Sequence, residues 1–305
     1  MILNKKIAVL LGGISVEKEV SLETGKYVVQ SLEEQGYKVK KIRVSFNKKL
    51  LIKTLKEFRP DLVFNALHGT FGEDGQVQKL LDKLKLRYSH SSAKASKIAM
   101  DKKKTKLVFK KIGIPYPNDV CVHTHNFKKK IKQLPFQFPV VIKPVSEGSS
   151  VGVKICQNIN ELKKYKLKRN TNYLIEEYVQ GRELTVGIFK NKALDVIELK
   201  TKKKFYDYKS KYTKGMTKYI IPAPIPKDIE NKCKKYAVKI HKFLKCKGVT
   251  RTDLRFDEKK SLGKKLFVLE INTQPGMTPL SLVPMMAKYK GLSFNELIKE
   301  IINEI

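Results

Sequence analysis

No apolar run in the 305 residues approaches the ~18–20 that a bilayer crossing needs. The opening MILNKKIAVLLGG carries a basic pair and a short apolar run. It lacks a small-residue cleavage pattern and ends in Gly-Gly, so it reads as a first strand rather than a signal peptide. A cytoplasmic chain is expected. The four cysteines, Cys121, Cys156, Cys233 and Cys246, form no CxxC pair and no zinc spacing, which points to free structural thiols. The only close histidine pair, His123 and His125, sits in a stretch read as a solvated linker rather than a metal site. There is no internal repeat and no low-complexity tract.

Acidic residues are also in short supply: 29 against 64 basic ones, a net charge of +35. Such a balance can mark a nucleic-acid binder. Arginine, the residue suited to bidentate reading of phosphates and bases, is scarce, however. The lysine runs KKKTK, FKKKIK and KTKKK lack interleaved aromatics. A solvated lysine coat is the preferred reading, and a basic, non-enzymatic nucleic-acid-binding protein the remote alternative, with no specific nucleic acid expected as partner. Hydrophobic residues at 41% and aromatics at 9% support a packed core, and the length allows two or three domains.

What is present reads as alternating strands and helices. KIAVLL, YKVKKIRV and DLVFNAL (61–67) alternate with helical patterns, predicting a doubly wound parallel sheet to about residue 95. Ligand groups then belong at the strand C-termini, near Gly12-Gly13 and His68-Gly69. A helix, KKKTKLVFKKI, and the strands PVVIKP, VGVKIC and NYLIEEYV suggest an α+β unit over 96–185. A third unit over 186–305 holds further strands, a polar loop at 205–220 and two helices.

Four stretches carry chemistry. TRTDLRF and LFVLEIN put Asp253 on one strand face, and Glu270 with Asn272 on another. If the strands neighbour each other, two carboxylates and an amide converge into a hard-oxygen set suited to Mg²⁺. Alternatively, Asp253 pairs with Arg251 or Arg255 and Asn272 caps the following turn. FPVVIKPVSEGSSVGV ends a buried strand with Lys143 and opens a small-residue loop through Gly148, Ser149 and Ser150. Such a loop can cradle phosphate through backbone N–H groups, or simply join a hairpin. NYLIEEYVQGRELTV places Glu176 and Glu183 around a Tyr178-Val179 hinge, suited to adenine and ribose or to protecting a sheet edge. In LGGISVEKEVSL, Ser15 reads as an N-cap and Glu17 as a first-turn acid, with binding of a substrate ammonium as the functional alternative. His68, after a strand, is equally ambiguous.

In order, LGGISVEKEVSL, LHGTFGEDG, MDK, VIKPVSEGSSVGV, FYDYKSKY, TRTDLRF and LEINTQPGMTPLSLVP resemble the D-alanine–D-alanine ligases of the ATP-grasp superfamily over nearly the whole chain. The resemblance implies an N-terminal doubly wound parallel-sheet domain followed by a two-part ATP-grasp fold, a mixture of α/β and α+β. It implies two D-alanines and ATP as substrates, an acylphosphate intermediate, two Mg²⁺ or Mn²⁺ ions, a role in peptidoglycan precursor synthesis, no membrane, and a homodimer. Lys102, Lys143 and Lys211 would meet ATP phosphates. Glu176 and Glu183, with backbone near Glu177 and Val179, would hold adenine and ribose. Asp253, Glu270 and Asn272 would hold the metals, and Arg251 with the Gly276 N–H the oxyanion. Glu17 would bind the first ammonium and connect through Ser149 to Tyr212. His68 would lie near the first carboxylate, and Ser281 and Leu282 in the second subsite. Relatives that join D-alanine to D-lactate carry a different loop, so Lys211 and Tyr212 imply the dipeptide, with the depsipeptide as the alternative. Gln274 stands where serine is common, a turn position expected to tolerate the change.

Overall fold

Continuous apolar runs bury both faces of a strand, and the first sheet follows from this. The computed structural model describes residues 5–201, 215–260 and 265–305. Ile7 to Leu10 in β1 (Lys6–Gly12) are fully buried. β1 pairs in parallel with β2 (Lys38–Val44) and β3 (Leu62–Asn65), in the order β2-β1-β3. α1 (Lys18–Glu34) covers one face through Val28 and Leu32. α2 (Lys48–Phe58) and α3 (Gln76–Lys83) cover the other through Leu51, Leu55 and Leu81. Helices on both faces make this the expected doubly wound arrangement.

α4 (Ala93–Met100) and α5 (Lys102–Lys111) lead to an antiparallel sheet of order β4-β7-β5-β6. Its strands are β4 (Asp119–His123), β5 (Val140–Pro144), β6 (Lys154–Cys156) and β7 (Asn172–Glu177), with short helices α6 (Phe127–Lys130) and α7 (Ile159–Lys163). A second antiparallel sheet has the order β10-β9-β8-β11-β12. It comprises β8 (Arg182–Phe189), β9 (Lys192–Thr201), β10 (Thr217–Ile220), β11 (Val249–Phe256) and β12 (Leu266–Asn272). α8 (Lys227–Phe243) packs on it through Ile229, Cys233, Ala237 and Ile240. α9 (Leu282–Tyr289) and α10 (Phe294–Asn303) return to the first sheet, where Val283, Leu297, Ile298 and Ile301 join the core around Ile7 and Phe64.

Several expectations shift. β3 stops at Asn65, whose Oδ1 accepts from Leu67 N at 3.2 Å and turns the chain before residue 67. The polar stretch read as loop to residue 220 forms strand β10 over Thr217–Ile220, paired with β9. His123 ends β4, and its Nδ1 accepts from His125 N at 3.3 Å, closing a capping box over Thr124–Asn126. The linker reading was incomplete there, and the pair is a structural cap. All four cysteines are free thiols. Burial pushes Cys233 and Cys246 up to about 12, so both are inert packing. Among the described residues no helix is long and apolar enough to cross a membrane.

Candidate active site

Register decides the first question about the site. β11 and β12 are antiparallel neighbours, with Asp253 opposite Glu270 and Arg251 opposite Asn272. Directly opposed side chains share a face, so both carboxylates and the amide converge. Both local alternatives are present as well. The Arg251 fork donates to Asp253 at 2.9 and 2.8 Å, and Asn272 Oδ1 accepts from Gln274 N at 2.7 Å. Thr185 Oγ1 donates to Asp253 Oδ1 at 2.6 Å. Lys102 Nζ lies 3.7 Å from Glu270 Oε2 and donates to Glu147 O at 2.5 Å.

Two adjoining cavities meet at Lys102, Glu147 and Glu270. The larger, about 550 Å³, is lined by Glu17, His68, Ser149, Arg251, Asn272, Gly276, Ser281 and Leu282. The smaller runs between the two antiparallel sheets past Lys143, Glu176, Glu177, Val179, Glu183 and Asp253. Every site residue singled out from the sequence therefore lines one cavity or the other, except Lys211 and Tyr212, which lie outside the described residues.

In the larger cavity, the expected N-cap is displaced. α1 starts at Lys18 with Glu17 as N-cap residue, and the Glu17 side chain makes no cap bond. Instead the buried carboxylate accepts from Ser149 Oγ. Ser15 Oγ donates to His68 O at 2.7 Å. His68 is buried, with Nδ1 2.8 Å from Glu73 Oε1 and Nε2 3.0 Å from Thr24 Oγ1. A Cβ at Gly276 would come within 3.1 Å of Ser281 Oγ, so glycine keeps that backbone approachable. Ser149 and Ser150 have φ of +47° and +59°, two adjacent non-glycine residues in the left-handed region. Each such residue costs of order 1 kcal/mol, which marks the loop as a constrained structure rather than a tight hairpin turn.

In the smaller cavity, Glu176 is buried between Lys143 at 2.5 Å and Lys106 at 2.8 Å. Burial alone raises its pKa; the two ammonium groups outweigh this and bring it down to about 2. Arg255 holds the hinge: it donates to Val179 O at 3.1 Å, to the Tyr178 hydroxyl at 3.2 Å and to Glu183 at 3.2 Å. Glu177 accepts from Asn118 N and Nδ2.

Among the described residues no cluster of three or more His, Cys, Asp or Glu could hold a metal. The face built by Asp253, Glu270 and Asn272 has two carboxylates and an amide, which are hard donors. They fit Mg²⁺ or Mn²⁺ if phosphate and water fill the rest of the shell.

Sequence reasoning missed Lys106 and the hold of Arg255 on the hinge, and it misread Gln274. That side chain is buried, not a permissive turn position. Its Nε2 donates to Leu67 O, and its Oε1 accepts from Asn65 Nδ2 at 2.8 Å, tying the loop before His68 to the turn after Asn272. No periodicity could reveal a contact across 209 positions. Gln274→Ala strands a buried donor and acceptor, so about 1–3 kcal/mol of stability is expected to be lost per group. Thermal unfolding checks this; an unchanged melting temperature would contradict it.

Comparison with known proteins agrees with the geometry. The family described as D-ala D-ala ligase C-terminus matches residues 108–303. A D-alanine–D-alanine ligase of Pelagibacter ubique is 46% identical over 99% of this chain and 98% of its own length. A Bacillus anthracis D-alanine–D-alanine ligase, solved in complex with ATP, superposes with a TM-score of 0.80 at 30% identity, covering 98% of this chain and 97% of that one. The VanG D-Ala:D-Ser ligase of Enterococcus faecalis superposes at 0.82 with 28% identity, covering 98% and 99%. With its motifs, two-part fold and full-length likeness in agreement, the chain belongs to the D-alanine–D-alanine ligase family.

Proposed function

We propose that the chain uses ATP to join two D-alanine molecules, releasing ADP and phosphate. The observation that carries this reading is the meeting of the two cavities at Lys102 and Glu270. A nucleotide lying between the antiparallel sheets would end its phosphates there, beside a cavity large enough for two small amino acids.

The first D-alanine sits with its ammonium toward Glu17 and its carboxylate toward the lysine side. That carboxylate attacks the γ-phosphorus and ADP leaves, giving an acylphosphate. Lys102 and Lys143 bind phosphate charge and keep the transferring group in line. The second D-alanine, in the subsite of Ser281 and Leu282, attacks the acyl carbon with its neutral amine. The oxyanion lies toward Arg251 and the Gly276 N–H, and as the attacking nitrogen loses a proton, collapse of the adduct breaks the C–O bond and expels phosphate. Glu176, Glu183 and backbone near Glu177 and Val179 take the adenosine end. Asp253, Glu270 and Asn272 would hold Mg²⁺ or Mn²⁺, which supplies charge neutralisation to the phosphates when bound. Water must be kept from the acylphosphate, and the Glu17–Ser149 contact ties the loop over the site to occupancy of the first subsite. Lys211 and Tyr212 are assigned to a separate closing segment, 205–220, with Lys211 toward the phosphates and Tyr212 toward Ser149.

We assign the product to peptidoglycan precursor synthesis in the cytoplasm, the units to 1–95, 96–185 and 186–305, and the assembly to a homodimer. The D-alanine–D-lactate reaction is disfavoured, because the full-length relatives are D-alanine–D-alanine ligases.

The test is phosphate release from ATP with Mg²⁺ and a panel of D-alanine, D-serine and D-lactate, with products read by mass. D-alanine alone should suffice and give the dipeptide. Release that requires D-lactate would replace the reading with a depsipeptide ligase. Salt-dependent retention of DNA or RNA with no turnover would replace it with a nucleic-acid binder.

A further inference from the structure

Lys106 lies one helical turn after Lys102 on α5, yet it lines neither cavity. It is 3% exposed, and a buried ammonium needs close anionic partners. Its Nζ has two, Glu176 Oε2 at 2.8 Å and Asp119 Oδ1 at 3.1 Å, and it also donates to the carbonyl of Pro117 at 2.8 Å. The other oxygen of Glu176 lies 2.5 Å from Lys143 Nζ. One buried carboxylate is thus shared by two lysines with different surroundings. Lys143 faces the cavity between the sheets. Lys106 is enclosed behind it, with its Nζ 5.4 Å from the centre of the Tyr116 ring.

This arrangement has a consequence for binding. Lys143 has three N–H donors, and serving phosphate charge means sharing or loosening its hold on Glu176. If it did so as the sole counter-ion, it would leave a buried carboxylate uncompensated, a heavily penalised state. Lys106 removes that obstacle. Its contacts with Glu176 and Asp119 lie outside both cavities, so the Glu176 carboxylate at the cavity wall has a counter-ion besides Lys143.

We propose that Lys106 is a positioning residue for the nucleotide: it is the permanent counter-ion of Glu176 that lets Lys143 turn from that carboxylate to the phosphates. This rests on the nucleotide reading of the smaller cavity and adds to it a residue that never touches the nucleotide.

The experiment measures the Kd for Mg²⁺-ATP by calorimetry, and kinetics where turnover occurs, in wild type, Lys106→Met, Glu176→Gln and the double variant. Lys106→Met should weaken ATP at least tenfold. Its KM for D-alanine and its kcat at saturating ATP should stay within threefold. In the Glu176→Gln background the shared carboxylate is gone and Lys106 keeps only the more exposed Asp119, so adding Lys106→Met should change the ATP Kd by less than threefold. An unchanged Kd in Lys106→Met overturns the proposal. So does an equal loss in both backgrounds, which would mean that Lys106 acts on the fold and not through Glu176. If Lys106→Met does not fold, the double variant, free of the stranded Glu176 carboxylate, decides: a Kd equal to that of Glu176→Gln supports the proposal and a weaker one overturns it. Failure of the broader reading looks different, because wild type would then release no phosphate with D-alanine even where ATP binding responds to Lys106 as expected.

Discussion

Glu270→Ala is expected to lower D-alanine-dependent phosphate release by about a thousandfold while leaving the melting temperature nearly unchanged, since charge stabilisation at a transferring phosphoryl group is worth roughly 10³–10⁵-fold. The two halves of the expectation have separate causes. The Glu270 side chain is about a third exposed, so truncating it removes little packing. Its position at the junction of both cavities, opposite Asp253 and 3.7 Å from Lys102, makes it common to the proposed nucleotide and amino-acid ends alike. Alanine leaves Asp253 as the only carboxylate of the proposed metal face. The Lys102 ammonium also loses a carboxylate neighbour at the junction, while its bond to Glu147 O remains. A phosphate-release assay with a thermal melt on the same sample checks both halves. Near-normal turnover would contradict the assignment of this face to the phosphates.

Gly69→Ala should do its damage at the other end, with a KM for D-alanine raised by about a hundredfold, comparable with losing one well-placed charged contact. Gly69 has φ +68°, where an L side chain costs about 1–2 kcal/mol. A Cβ there would sit 2.6 Å from Glu17 Oε2, 2.9 Å from Ser15 Oγ and 3.0 Å from Ser15 Cβ. The end of the Glu17 side chain is the part that can give way, and moving it breaks the contact with Ser149. ATP binding, about the opposite cavity, should change little. Steady-state kinetics with each substrate varied in turn would show the split. A variant with wild-type D-alanine kinetics would mean that Glu17 does not hold the first substrate.

Parts of the fold were readable because local pattern and tertiary role coincide. β1 is apolar on both faces because helices cover both, and the run ends in Gly-Gly where the strand stops. α4 escaped notice because its buried residues are alanine and serine, which carry no strong periodicity. α9 was missed because Pro284 falls in its first turn, where proline is tolerated, and β10 because it is a four-residue edge strand at the end of a polar stretch.

The chain's order of residues, by itself, determined which groups are available: the acid–amide spacing of β12, the lysine at the end of β5, the small-residue loop after it, and the family they signal. Spacing along one strand fixes a shared face whatever the strand packs against. Only the tertiary structure decided what those groups meet. It set Asp253 against Glu270 by register, turned Glu17 from a helix cap into a partner of Ser149, and enclosed Lys106 behind Glu176. It also made Gln274 a buried tie to Asn65. These contacts join positions tens to hundreds of residues apart, and their energies depend on burial, which is a property of the packed whole and of no single segment.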